Sequence, residues 1–319
     1  MGTMAAFPGA GAPSAPGHAI LVLAGPTASG KTALALELAR RLGGEIVNAD
    51  SQQVYRGLDA GTAKPTAEEL AAVPHHLVDV VEPGEGMDAA RWVALADEAI
   101  AGIASRGRLP LVVGGTGLYV RALLHGVVVA PGRDPALRAA LEDEAERLGR
   151  PALHARLAAV DPDMAARIRP NDLVRIVRAL EIAAGGTRPS ELYAAHGFQQ
   201  DRYRATLLAL HVPRPELHAR IDARVPAMFA RGLLAETERL LARCGGRLPG
   251  RVPIGYAEAA AVLRGDLPEA EAVRRIQVSH RRYARRQVIW LRKEPGVRWI
   301  RPPWDVDALA RCVERAEHS

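Results

Sequence analysis

Only two of the 319 residues are cysteine, and Cys244 and Cys312 stand far apart in the chain. That excludes a secreted-type disulfide framework and a zinc site built on paired cysteines, and it points to a reducing cytoplasm. No apolar run approaches the ~18 residues of a membrane span, so no membrane partner is expected. Residues 1–18, MGTMAAFPGAGAPSAPGH, have neither the basic stretch nor the apolar stretch of a signal peptide, and they read as a disordered leader. Lysine is nearly missing, at Lys31, Lys64 and Lys293 against 42 basic residues in all. Arginine suits forked phosphate contacts and stacking on bases, but GC-rich coding produces the same bias, so this scarcity decides nothing alone. Acid is missing between Ala272 and Lys293, where Arg274, Arg275, Arg281, Arg282, Arg285, Arg286, Arg292 and Lys293 give +8 against a whole-chain +6. The basicity is therefore local, and it suggests a polyanionic partner.

The rest is globular, 48% hydrophobic and long enough for one large or two ordinary domains. AILVLA (19–24) reads as a buried strand, KTALALELARRLG (31–43) as a helix stopped by glycine, EIVNAD (45–50) as a second strand and LPLVVGGTG (109–117) as a third, preceded by a helix over 89–105. Strands alternating with helices predict a parallel sheet with its ligands at the carboxyl ends. From about residue 131 the pattern is helical, at 135–148, 151–159, 163–168 and 172–184. A strand is expected again at 206–212, then helices at 215–243, 256–263 and 268–293. The chain thus divides into an α/β core, 19–130 with about 201–319, and an all-helical insertion at about 131–200.

Gly25-Pro26-Thr27-Ala28-Ser29-Gly30-Lys31-Thr32 matches G-x-x-x-x-G-K-[ST] between a strand and a helix, so the core is expected to be P-loop NTPase-like. The glycines let backbone N–H groups face a phosphate, and the helix N-terminus adds positive charge. Lys31 is placed for phosphate oxygens, and the Thr32 hydroxyl for Mg²⁺. The strand ending in Gly114-Gly115-Thr116 has no Walker-B aspartate, which weakens phosphoryl transfer and leaves room for chemistry with diphosphate as leaving group. Asp50, after the second strand, suits a general base or a partner of Mg²⁺, and equally a turn or cap aspartate. His75-His76 has no carboxylate or cysteine at ligand spacing and is not expected to bind metal. Asp161 is expected to cap a helix. In the basic stretch, Arg281/Arg285 and Arg282/Arg286 form two rows, with Val273, Ile276, Tyr283, Val288 and Leu291 opposite, so one face packs and the other meets phosphate.

GPTASGKT, NADSQQVYRGLDAGTAKP (48–65), PHHLVD (74–79), VVGGTGLY (112–119), DPALR (134–138), RPND…R..RALE (169–181), LHARID.R (217–224), IGY (254–256) and RRQVIWLR (285–292) together resemble the bacterial tRNA dimethylallyltransferases. The resemblance runs from about Ala19 to Trp299. It implies transfer of a dimethylallyl group from dimethylallyl diphosphate to N6 of the adenosine 3′ of the anticodon, in tRNAs reading codons that begin with U. The P-loop nucleotide motif, Gly25 to Thr32, would then cradle the isoprenoid diphosphate without consuming ATP, helped by Arg224 and by Mg²⁺ at Thr32.

Asp50 would be the base, and Thr116 would bind near the reacting centre, though a turn-capping role suits it too. For the tRNA anticodon stem-loop the resemblance implies Asp50, Ser51, Gln52, Gln53, Thr116, Arg138, Val174, Arg175, Ile176, Val177, Arg178, Gly255, Tyr256, Arg281, Arg282, Arg285, Arg286, Gln287, Trp290 and Arg292. A cytoplasmic monomer is expected. Two positions depart from the family pattern, Val174 where glutamine is common and Ala257 where a basic residue is common. Competing readings are a small-molecule kinase, a prenyltransferase acting on free AMP and a non-catalytic RNA-binding module. The first has no use for DSQQVY, the second none for the helical insertion and basic C-terminal region, and the third none for a P-loop.

Overall fold

A computed structural model describes residues 18–128, 130, 134–198, 201–250 and 252–317, without the side chains of 316 and 317. Residues 1–17 of the expected leader lie outside the described residues. The chain divides into two compact units, one holding the residues up to Leu124 and from Asp201 onward, the other beginning at His125 and ending at 200.

In the first unit, β1 (Ala19–Ala24), β2 (Glu45–Asn48), β3 (His75–His76), β4 (Pro110–Gly114), β5 (Arg204–Leu210) and β6 (Arg298–Ile300) form one sheet in the order β3-β2-β4-β1-β5-β6, with every pairing parallel. The central strands are covered on both faces, which is why AILVLA and PLVVG are apolar without alternation. Helix α1 (Lys31–Leu42) buries Leu34, Ala35, Leu38 and Ala39 against Leu21, Leu23 and Leu111, and ends at Gly43, φ 63°. The capping box of Thr66 and Glu69 opens α2 (Ala67–Ala72), and Asp88 caps α3 (Ala89–Ser105). Neither α2 nor the short edge strand β3 was expected.

The strand expected through residue 117 stops at Gly114, because Gly117–His125 is helix α4. In the second unit α5 (Pro135–Leu148), α6 (Arg150–Val160), α7 (Pro162–Arg167), α8 (Leu173–Ala184) and α9 (Pro189–His196) enclose Leu141, Leu153, Leu157, Met164, Ile176 and Val177. Asp161 caps α7 by accepting from Met164 N, as its position before Pro162 predicts, and also accepts from Ser190 N.

Back in the first unit, the single helix expected over 215–243 is two, α10 (Arg214–Ala230) and α11 (Leu233–Arg243). Gly232, at φ 94°, sits in the left-handed region where the chain turns between them. Next come α12 (Tyr256–Leu263), α13 (Glu269–Leu291) and α14 (Val306–Glu317). The buried stripe of α13 is Ala272, Ile276, His280, Ala284, Gln287 and Leu291, rotated from the expected face, so Val273, Tyr283 and Val288 lie at its edges.

Candidate active site

β2, β4 and β1 are neighbours, with Asn48 in register with Val113 and Ala24 with Gly114. The segments leaving their carboxyl ends, Asp50–Gln53, Thr116 and Gly25–Thr32, therefore start within roughly 10 Å of one another, two strand spacings.

The P-loop is braced from distant positions. Ser29 N donates to the Pro26 carbonyl at 3.2 Å, closing a turn through Ala28 at φ 62°. Gln287 Oε1 accepts from Thr27 N at 2.8 Å, and Arg220 donates to the Ser29 carbonyl at 3.1 Å. Ser29 Oγ is buried without a hydrogen-bond partner. Such an atom costs on the order of 1–3 kcal/mol unless a ligand satisfies it, which fits a phosphate oxygen arriving here.

Lys31, Thr32, Asp50, Gln53 and Arg224 line one cavity. Burial pulls the Lys31 ammonium down to about 8; Asp50 opposes the fall and Arg224 adds to it. Arg224 is lowered by burial too, again against Asp50. Its Nη2 donates to the Thr62 carbonyl at 3.2 Å, while its Nε is buried without a partner. Two crowded cations beside one carboxylate, at the N-terminus of α1, suit a multiply charged anion. His280 on α13 faces the charge of Arg224 on α10: burial and that charge hold the His280 imidazole down at about 4, so it is neutral.

Asp50 serves its own turn as well as the cavity. Its Oδ1 accepts from Gln52 N at 2.9 Å, and its N–H donates to Asn48 Oδ1 at 3.1 Å. Thr116 Oγ1 accepts from Ser51 N at 2.9 Å, so the GGT turn and the segment after β2 are joined beside Asp50. Tyr283 hydrogen-bonds Thr116 and Gln287, and burial, with the Asp50 charge, pushes its phenol above the ordinary tyrosine range. Thr32, whose hydroxyl is a hard oxygen donor suited to Mg²⁺, lines the cavity, as does Asp50. Among the described residues no cluster of three His, Cys, Asp or Glu could hold a metal, so diphosphate oxygens and water would complete its shell. His75 Nδ1 is bonded to the Val73 carbonyl and His76 Nε2 to Glu45.

The expected RNA contacts fall into two groups. Arg282, Arg285, Arg286 and Arg292 are exposed on or just after α13, and Arg175 and Val174 are exposed on α8. Arg286 lies over the Tyr283 ring. Trp290 is half-buried against Gly117, where a Cβ would come within 2.1 Å of its ring, and Arg121 stacks on it at 5.4 Å. Other expectations need correction. Ile176 and Val177 are 0% and 1% exposed in the helical core, Tyr256 0% and Gln287 5%, so direct RNA contact gives way to internal roles.

Gly255, at φ 111°, starts α12 and turns Tyr256 inward. Gln53 lines the cavity, but its amide holds the Thr62 and Ala63 carbonyls, and Gln52 Nε2 donates to Ser51 Oγ. Arg281 is paired with Asp222, and Arg138 makes a fork to Glu181, which Arg178 also approaches. The sequence reading put Tyr283 on the packed face of the basic helix without giving it a role at the site, and missed Arg220 and the clamp made by Gln287. The buried stripe on α13 was the available signal for Gln287.

The IPP transferase family model matches residues 53–294, and the isopentenyl transferase model residues 18–83, which contain the P-loop. A tRNA dimethylallyltransferase of Anaeromyxobacter sp. (strain K) is 79% identical over 294 residues, covering 92% of this chain and 96% of its own. The crystal structure of the full-length tRNA isopentenylpyrophosphate transferase from Bacillus halodurans superposes with a TM-score of 0.68 at 36% identity, covering 94% of this chain and 97% of that one. A eukaryotic dimethylallyltransferase acting on tRNA gives 0.77 at 28% identity, covering 93% and 78%. With more than half its length matched by the family model and near-complete relatives at high identity, the chain belongs to the IPP transferase family.

Proposed function

We propose that this chain is a tRNA dimethylallyltransferase, which moves the dimethylallyl group of dimethylallyl diphosphate to N6 of the adenosine at position 37, 3′ of the anticodon. The targets are tRNAs reading codons that begin with U, and the product is N6-dimethylallyladenosine. The observation that carries this reading is the meeting of the P-loop, Lys31 and Arg224 with Asp50 and Thr116 at three adjacent strand ends.

Lys31, Arg224, the loop amides and the orphaned Ser29 hydroxyl bind the diphosphate and favour its departure as charge develops on the C1–O oxygen. Thr32 would hold Mg²⁺, which supplies further charge neutralisation. The exocyclic amine is a weak nucleophile, because its lone pair is delocalised into the ring. Thr116 aligns it, and Asp50 takes its proton as the N6–C1 bond forms and the diphosphate leaves with the C1–O electron pair. No ATP is consumed. An adenine of the anticodon loop must leave its stack to reach this point. Arg282, Arg285, Arg286 and Arg292, with Arg175 and Val174, supply exposed surface for the stem and loop.

Among the described residues no helix is long and apolar enough to cross a membrane. The enzyme works as a monomer in the cytoplasm. Radiolabelled dimethylallyl diphosphate is offered with tRNA, with AMP and with neither. Label entering only the tRNA, with pyrophosphate released and no ATP requirement, supports the reading. Label on AMP, or ADP formation from ATP, replaces it with one of the rivals.

A further inference from the structure

The loop between Leu58 and Lys64 carries two of the carbonyls that shape the cavity wall. Thr62 O accepts from Arg224 Nη2 at 3.2 Å and from Gln53 Nε2 at 3.3 Å, and Ala63 O accepts from Gln53 Nε2 at 3.1 Å. What holds this loop is a carboxylate from α11. Glu236 Oε2 accepts from Asp59 N and Ala60 N, both at 2.9 Å, and Oε1 accepts from Gly61 N at 3.3 Å. The fourth donor is the Tyr256 hydroxyl.

Glu236 is 4% exposed, and these four donors satisfy the oxygens of its buried carboxylate. Tyr256 packs closely against the loop at Gly61. A Cβ at Gly61 would stand 2.4–2.7 Å from its ring and hydroxyl, so only glycine admits this approach. Leu58 and Ala60 join Tyr256, Val225 and Met228 in one apolar cluster, and Val225 follows Arg224 on α10. Lys64 closes the loop on Asp59, at 2.5 Å, and ties it to the Tyr55 carbonyl, at 2.9 Å, and to Asp79, at 2.5 Å.

We infer that Glu236 and Tyr256 form a latch whose role is to position Arg224 and Gln53 for the diphosphate, through the backbone of residues 59–63. The latch makes Tyr256 a positioning residue and not an RNA contact. It rests on Arg224 as a diphosphate residue, the reading proposed above.

The decisive variant is Tyr256→Phe, which keeps the ring in its apolar cluster and removes only the hydroxyl. Three quantities are measured on the full-length protein: pyrophosphate affinity by calorimetry, KM and kcat for dimethylallyl diphosphate, and tRNA affinity over a salt series. Loss of one charge-assisted hydrogen bond under Arg224 should weaken pyrophosphate binding and raise KM by about tenfold. Affinity for tRNA and its salt slope should stay at wild-type values. Amide exchange at residues 59–61 should quicken. A purely structural role would instead lower the melting temperature and the active fraction, with KM intact.

Glu236→Gln, which also loses the charge, should move the same quantities further in the same direction. In the Arg224→Ala background the Tyr256→Phe loss should largely disappear, because both changes act on one contact. Weakened tRNA binding with intact pyrophosphate affinity overturns the latch. So does no change in either, or losses that multiply across the two variants. If Arg224→Ala alone leaves pyrophosphate binding unchanged, the diphosphate role of Arg224 is what fails, and the latch falls with it.

Discussion

Gln287 and Thr27 are 260 residues apart in the chain, yet Gln287 Oε1 accepts the Thr27 amide at 2.8 Å while its Nε2 donates to the Gly115 carbonyl at 2.9 Å. One buried amide from α13 therefore sets the spacing between the P-loop and the GGT turn. It joins the groups proposed to bind the leaving diphosphate to the one proposed to align the nucleophile.

Gln287→Ala leaves the Thr27 amide and the Gly115 carbonyl without this partner. The expected cost is about 1–3 kcal/mol of stability, seen as a lowered melting temperature. A larger share of the effect should fall on kcat, since a misplacement near 1 Å between reacting groups can cost about 10²-fold. Gln287→Glu can still accept from Thr27 but cannot donate to Gly115. Its kcat should lie between those of the wild type and the alanine variant. Steady-state kinetics beside thermal melts check both.

Lys31 gives the site a pH signature. The free ammonium titrates near 8, against an ordinary 10.5, because burial disfavours the charge. A bound diphosphate favours the charged form, so binding above pH 8 must take up a proton. Calorimetry in buffers of different ionisation enthalpy should show uptake at Lys31 approaching one proton near pH 9 and none near pH 6. Subtracting the Lys31→Met variant isolates this proton.

The stability sign follows from the same shift. The native state binds fewer protons than the unfolded chain between pH 8 and 10.5, so burial of Lys31 destabilises the protein fully below 8 and is relieved as pH rises to 10.5. Lys31→Met should melt higher than wild type at pH 7, with the gap closing toward pH 10.5.

Asp50→Asn keeps an oxygen for the Gln52 amide, so the turn after β2 should persist. It removes the group proposed to take the N6 proton, and general-base loss costs about 10²–10⁴-fold in rate. Because Asp50 places negative charge beside Lys31 and Arg224, the variant should bind pyrophosphate at least as tightly as wild type. Single-turnover rates near wild type would remove Asp50 as the base.

These residues differ in how plainly the sequence announces them. The P-loop is legible because its eight residues are contiguous and each has a local job. Strand β1 and helix α3 are legible by apolar run and periodicity. The short β6 and the amphipathic α14 were missed, as their apolar faces make sense only against β5 and α1. Ile176, Val177, Tyr256 and Gln287 show the harder limit. A motif marks such positions as special without saying which side of the backbone the side chain takes, and burial places all four inside. Glu236 leaves no local trace at all, since its partners are the amides of residues 59–61.

The same burial pattern changes what the basic stretch should contribute. Arg281 is half-buried and paired with Asp222, while Arg282, Arg285 and Arg286 stand exposed. An arginine already neutralised by Asp222 releases little when RNA arrives, whereas each exposed one that reaches a phosphate displaces a counterion. Changing Arg282, Arg285 and Arg286 together to Gln should flatten the log–log salt dependence of tRNA binding by roughly two units if all three reach phosphates. Adding Arg281→Gln should change the slope little but lower stability, because Asp222 loses its partner. Pyrophosphate affinity should stay at the wild-type value in every one of these variants, since their side chains lie outside the P-loop cavity. Filter binding from low to high salt measures the slope. A triple variant with the wild-type slope would make this helix an ordinary solvated face and move the phosphate contacts elsewhere on the protein.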